Sequence, residues 1–71
     1  MKKKLTYDDI KLGGKVPYPV NSTVIGEITS ISNLTLNMGI SEPIFTVLFK
    51  VNGTELREHF GLKYVLKYYI V

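Results

Sequence analysis

Along residues 45–60, FTVLFKVNGTELREHF, apolar and polar positions alternate on both sides of Asn52-Gly53. A period of two is the mark of half-buried strands. Asn-Gly suits the two positive-φ positions of a type I′ turn, so a hairpin with a two-residue loop is predicted. Such a loop sets the register: Val51 faces Thr54, Lys50 faces Glu55, Phe49 faces Leu56 and Leu48 faces Arg57. Val47 then faces Glu58, Thr46 faces His59 and Phe45 faces Phe60. Phe45, Val47, Phe49, Val51, Leu56 and Phe60 share the core face, and Lys50 and Glu55 form a cross-strand ion pair on the wet face. Glu58 falls on the core side, so either the face leaves the core there or a bulge turns the strand; the rim is the preferred reading.

The preceding residues carry a weaker pattern of the same kind. In LTYDDIKLGGKV, Thr6 is a candidate N-cap, with Asp8 and Asp9 in the first turn and Gly13-Gly14 as a stop. The segment holds two helical turns at most, or an extended lead-in with Ile10 and Leu12 plugging a core. Pro17 and Pro19 confine KVPYPV to an edge strand or rigid turn. STVIGEITSIS is a strand with Val24 and Ile28 on one face and Ile25 and Ile31 partly on the other; Gly26 signals a bulge or a close backbone approach. NLTLNMGI reads as a further strand with Leu34, Leu36, Met38 and Ile40 on one face, and Ser41-Glu42-Pro43 as a break. The tail GLKYVLKYYIV fits two periods. Leu62, Val65, Leu66 and Tyr69 make a helical stripe, whereas Phe60, Leu62, Tyr64, Leu66, Tyr68 and Ile70 alternate. A helical turn at 61–65 followed by a strand at 66–70 satisfies both.

Composition narrows the class. Seventy-one residues make a single domain, 1–71, close to the size at which one core becomes marginal. With no cysteine and one histidine, disulfides and thiolate metal sites are excluded and no cofactor is expected. Lys2-Lys3-Lys4 is followed by Asp8 and Asp9 instead of an apolar stretch, and no run approaches a membrane span, so a cytoplasmic, non-membrane protein is expected. The N-x-S/T triplets at Asn21, Asn33 and Asn52 carry no meaning without secretion. Net charge is +3, made of +3 over residues 1–15, −2 over 16–58 and +2 over 59–71. Eight lysines against one arginine, with abundant Ile, Asn and Tyr, suit an AT-rich bacterial or phage coding sequence.

Taken together, DIKLGGKV, GEITSI and FTVLFKVNGTELREHF resemble the first strand, second strand and hairpin of SH3-like barrels of the Tudor and KOW type. The resemblance spans most of residues 8–70, departing at Gly14, VPYPVNS and NLTLNMGI. It implies an all-β fold: a small barrel of five or six antiparallel strands, with a short helical turn at the N-terminus and another before the last strand. A two-sheet meander pairing with a second copy is the alternative. Such barrels dock on nucleic acid, on RNA polymerase or on modified peptides. In a barrel the first and last strands are neighbours, which would bring Lys11 and Lys15 beside Lys63 and Lys67.

Candidate chemistry follows from these placements. His59 sits beside Thr46 on the exterior with no nucleophile–base set around it, and LGGK lacks the spacing of a phosphate-binding loop, so no enzyme is predicted. Tyr64, Tyr68 and Tyr69 interleave with Lys63 and Lys67, a mixture suited to stacking bases and holding phosphates. Tyr64 and Tyr68 also read as core residues with wet hydroxyls, and Tyr69 as the exposed member. The expectation is a binding module that docks an anionic partner, nucleic acid or an acidic protein surface, through Lys11, Lys15, Lys63, Tyr64, Lys67, Tyr68 and Tyr69. The alternative is a phage-type inhibitor that blocks a host protein or sequesters a nucleotide signal, as a homodimer through terminal strands.

Overall fold

A computed structural model of the protein describes residues 7–35, 38–39 and 41–69. A 3-10 turn at Tyr7–Asp9 leads into four strands, β1 (Lys15–Pro17), β2 (Ile25–Thr35), β3 (Ser41–Val51) and β4 (Thr54–Gly61), and then a helix, α1 (Leu62–Tyr68). The strands form one antiparallel sheet in the order β1-β2-β3-β4. It does not close: β1 and β4 are its two edges, and α1 lies across one face, touching β1, β3 and β4. The SH3-like barrel of five or six strands is therefore corrected to an open four-stranded sheet with a helix on one side.

Two features account for the correction. A one-sided sheet needs a second layer over its apolar face. As a helix, the tail turns Val65 fully inward and buries Tyr69, with Leu62 and Leu66 packed against the same core. As a strand, 66–70 would send Tyr69 to the face opposite Leu66. The helix runs to Tyr68 and Tyr69 is already extended, so no strand occupies 66–69. The second feature is the segment 33–43. Asn33, Leu34 and Thr35 continue β2, pairing with Pro43, Glu42 and Ser41 of β3, with Met38 and Gly39 at the tip of one long hairpin. Among the described residues no separate strand lies there; of the apolar residues expected in it Leu34 and Met38 are exposed, and Leu36 and Ile40 lie outside the described residues.

Pro43 is a strand residue and not a break, for a reason the backbone supplies. Ile28 N–H donates to the Gly14 carbonyl and the Ile28 carbonyl accepts from Gly13 N–H, so Ile28 faces β1. Alternation then turns Glu27 and its partner Leu48 toward each other, and Val47 and Phe49 toward β4. Pro43 has the parity of Val47, and β4 ends at the Ile44–Gly61 pair. Its missing N–H would meet no described strand.

The β3–β4 hairpin has the predicted register at each of the seven pairs, from Val51–Thr54 to Phe45–Phe60, and Ile44–Gly61 extends it by one. Asn52 and Gly53 have φ of 50° and 79°, as a type I′ turn requires. Glu58 is exposed while Val47 is fully buried, which places Glu58 at the rim. Lys50 and Glu55 face each other in register but form no ion pair; on this outer face Lys15 pairs with Glu27 at 3.3 Å.

β2 holds the other departure. Thr29 is an extra residue between the Ile28–Val47 and Ser30–Thr46 pairs, with its hydroxyl 3.4 Å from the Thr46 carbonyl. This bulge lets Ile28 and Ile31, three apart, both face the core, where a regular strand would have sent Ile31 outward. Ile25 is exposed, on the face opposite Ile28. Gly26 serves the close approach instead: a Cβ there would sit 2.5 Å from the Phe49 ring and 2.6 Å from Val47 Cγ1. In the first segment Ile10 is buried, but Leu12 is 61% exposed and plugs nothing; Thr6 lies outside the described residues.

Val16, Ile28, Phe45, Val47, Phe49 and Val65 are the fully buried side chains, each contributing on the order of 1.5–3 kcal/mol by burial. Because Gly26 seats the Phe49 ring at their centre, Gly26→Ala is expected to destabilise by about 2 kcal/mol through overpacking. Urea denaturation should show a lowered midpoint with unchanged slope.

Candidate binding surface on the helix face

The surface begins with a chain of rings running out of the core. Tyr18 and Phe49 centroids are 4.7 Å apart, Phe49 meets Phe60 edge-on at 6.0 Å, Phe60 stacks on Tyr64 at 4.3 Å, and Tyr64 leads to Tyr68 at 4.8 Å. Each ring fixes the next, so Tyr68, 37% exposed, is held by packing that starts at a fully buried phenylalanine. Tyr64 also donates its hydroxyl to the Pro17 carbonyl at 2.8 Å, tying α1 to β1.

The β1–β2 loop supplies the facing wall. Tyr18 N–H donates to the Val24 carbonyl and closes the loop at 2.8 Å. Inside it the Asn21 side-chain oxygen accepts from Thr23 N–H at 3.2 Å and from the Thr23 hydroxyl at 2.7 Å, a side-chain-stabilised turn. Pro17, Tyr18, Pro19 and Ser22 thereby line a shallow hollow of about 150 Å³ with Tyr64 and Tyr68. At its rim the Lys67 ammonium lies 5.1 Å from the Tyr68 ring centroid, a cation–π contact. Lys63 is exposed one turn earlier, and α1 carries no acid.

The residues expected to act together divide into groups. Lys63, Lys67, Tyr64 and Tyr68 share α1, with Tyr64 largely structural. Tyr69 is not the exposed member: it is 8% exposed and packs against Gly14, where a Cβ would overlap the ring. Lys11 is exposed on the turn that leads to Gly14, at the same end as Tyr69. Lys15 is separated from the others: Val16 points to the core, so Lys15 projects from the opposite face of the sheet and is paired there with Glu27. The neighbourhood of Lys15 with Lys63 and Lys67 rested on a closed barrel and does not form.

The outer face has a wider hollow of about 310 Å³, lined by Lys15, Ile25, Glu27, Leu48 and Lys50. It has no aromatic wall, and Glu27 answers one of its two lysines. His59 shares this face, its Nδ1 3.1 Å from the Thr46 hydroxyl, the neighbour that the hairpin register predicts. Among the described residues no three His, Cys, Asp or Glu gather where a metal would bind, and no helix is long and apolar enough to cross a membrane. The sequence pattern does not signal the contribution of Pro17, Tyr18, Pro19 and Ser22; the aromatic Tyr18 between two prolines is its only trace there.

Compared with known proteins, the chain matches no family model, no curated protein and no solved structure. The SH3-like resemblance thus has no relative behind it.

Tyr64 joins the two walls, and burial, with a smaller contribution from Tyr68, raises its phenol above the ordinary value of 10.0. A raised phenol favours the protonated form in the folded state, and only that form donates to Pro17. Stability from this group is therefore complete below pH 10.0 and declines as pH rises through the raised value. Tyr64→Phe is expected to cost about 1 kcal/mol at neutral pH and to flatten the alkaline decline, both read from urea melts at several pH values.

Proposed function

We propose that the protein is a non-enzymatic binding module that holds single-stranded nucleic acid on the surface made by α1 and the β1–β2 loop. The observation that carries this reading is Lys67 poised over the exposed ring of Tyr68, beside a hollow walled by Pro17, Tyr18 and Pro19. A ring supplies a sequence-tolerant face for a base, and an adjacent ammonium answers its phosphate. Lys63 continues the positive stripe along α1, and Lys11 adds charge at the end where Tyr69 meets Gly14. Tyr64 holds the helix and loop at fixed separation, so the ring and the hollow do not have to be organised on binding. Lys15 and Tyr69 have no part in this surface.

Fluorescence anisotropy with a labelled oligo(dT) across a salt series is the direct measurement. Affinity should fall steeply with salt, and Lys63→Glu/Lys67→Glu should both weaken binding and flatten the slope. Tyr68→Ala should remove about 1–3 kcal/mol of binding, the worth of one stacked base. Binding to polyglutamate without binding to oligonucleotide would assign the surface to an acidic protein, and binding to neither would end the anionic-partner reading.

A further inference from the structure

The two edges of the sheet are not equivalent. β1 has three residues, and its outward-facing groups belong to Lys15 and Pro17, because Gly14 and Tyr18 face β2. Pro17 has no N–H, and its carbonyl is taken by the Tyr64 hydroxyl. That edge is closed to another strand. β4 has eight residues and no proline. Val47 and Phe49 face it, so Leu56 and Glu58 return those bonds and Glu55, Arg57 and His59 turn their main-chain groups outward. No described strand pairs with them, and Glu55, Arg57, Glu58 and His59 are all exposed.

The side chains of this edge are self-complementary in one register. When two copies pair antiparallel about a twofold axis perpendicular to the sheet, residue pairs must sum to twice the central position. Centred on Leu56, Glu55 of each copy lies opposite Arg57 of the other, twice, in hydrogen-bonded pairs; Leu56 meets its own copy on the core face, and Thr54 meets Glu58. Centred on Glu55, Arg57 or Glu58, the strand instead sets a charge against itself. The favoured register also places Lys50, Glu55 and the second copy's Arg57 in a row of alternating sign on the outer face, where Glu55 has no ion-pair partner among the described residues of its own chain. Charges that usually protect an edge are here placed to accept a second copy.

We propose that β4 is a homodimerisation edge, joining two copies into a continuous eight-stranded sheet centred on Leu56 with both helices on one side. This surface is separate from the α1 face and does not depend on what that face binds.

Sedimentation equilibrium of the full chain from micromolar to millimolar concentration should show a monomer–dimer equilibrium. Glu55→Arg or Arg57→Glu alone places like charges opposite each other twice and should weaken dimerisation about tenfold or more. The double exchange Glu55→Arg/Arg57→Glu rebuilds both pairs and should restore it, with circular dichroism confirming that each variant is folded. Since the chain has no cysteine, Leu56→Cys should form a disulfide-linked dimer under mild oxidation, as a non-hydrogen-bonded pair allows. A wild-type chain that stays monomeric throughout, single reversals without effect, or a double exchange that fails to restore the dimer would overturn the proposal. If Leu56→Cys does not fold, the charge-exchange series decides alone.

Discussion

The packing of α1 against the inner face of the sheet is the contact on which the remaining structure depends. A four-stranded sheet of this size presents Val16, Ile28, Phe45, Val47 and Phe49 on one side, and burying them needs a second layer. Seven helical residues provide it, an unusually small cover. Val65 enters the centre, Tyr69 is laid against the bare backbone of Gly14, and Tyr64 reaches the Pro17 carbonyl. The last two contacts bind α1 and the residue after it to β1 and its approach, the part of the sheet most distant in sequence. They also fix the orientation of Tyr68 and Lys67, so the candidate binding surface is a by-product of sealing the core.

The same demand for one continuous apolar face explains the irregularities. The bulge at Thr29 resets the phase of β2 so that Ile31 joins Ile28 inside. Gly26 yields the space of a side chain to Phe49. Pro43 is tolerated because its nitrogen points past the end of β4. Each is a local departure that a regular pattern would have forbidden and that the neighbouring strand makes inexpensive.

The candidate site was legible only where its residues are close in sequence. Lys63, Lys67, Tyr64 and Tyr68 lie within one helix, and their association needs no long-range contact. Barrel closure would group Lys15 with them, whereas a single parity, Val16 inward, places it on the other face. Tyr69 looked exposed because a strand period assigns it to the outer side; a helical period turns it onto Gly14. Tyr18, Pro17 and Pro19 carry no such local signal, because they lie in the opposite half of the chain from Tyr68.

The β3–β4 hairpin follows from local sequence alone. Asn52-Gly53 permits few alternatives to a type I′ turn, and with a two-residue loop every cross-strand pair from Val51–Thr54 to Phe45–Phe60 follows from counting. His59 beside Thr46 and Glu58 at the rim come from the same count. Whether the tail is strand or helix, whether the sheet closes, and which side Ile31, Lys15 and Tyr69 occupy depend on long-range packing. The reason is the range of the interactions. A turn is governed by the backbone preferences of two residues, whereas an ambiguous apolar period is resolved only by the surface it must cover, and that surface is assembled from strands far away in the chain.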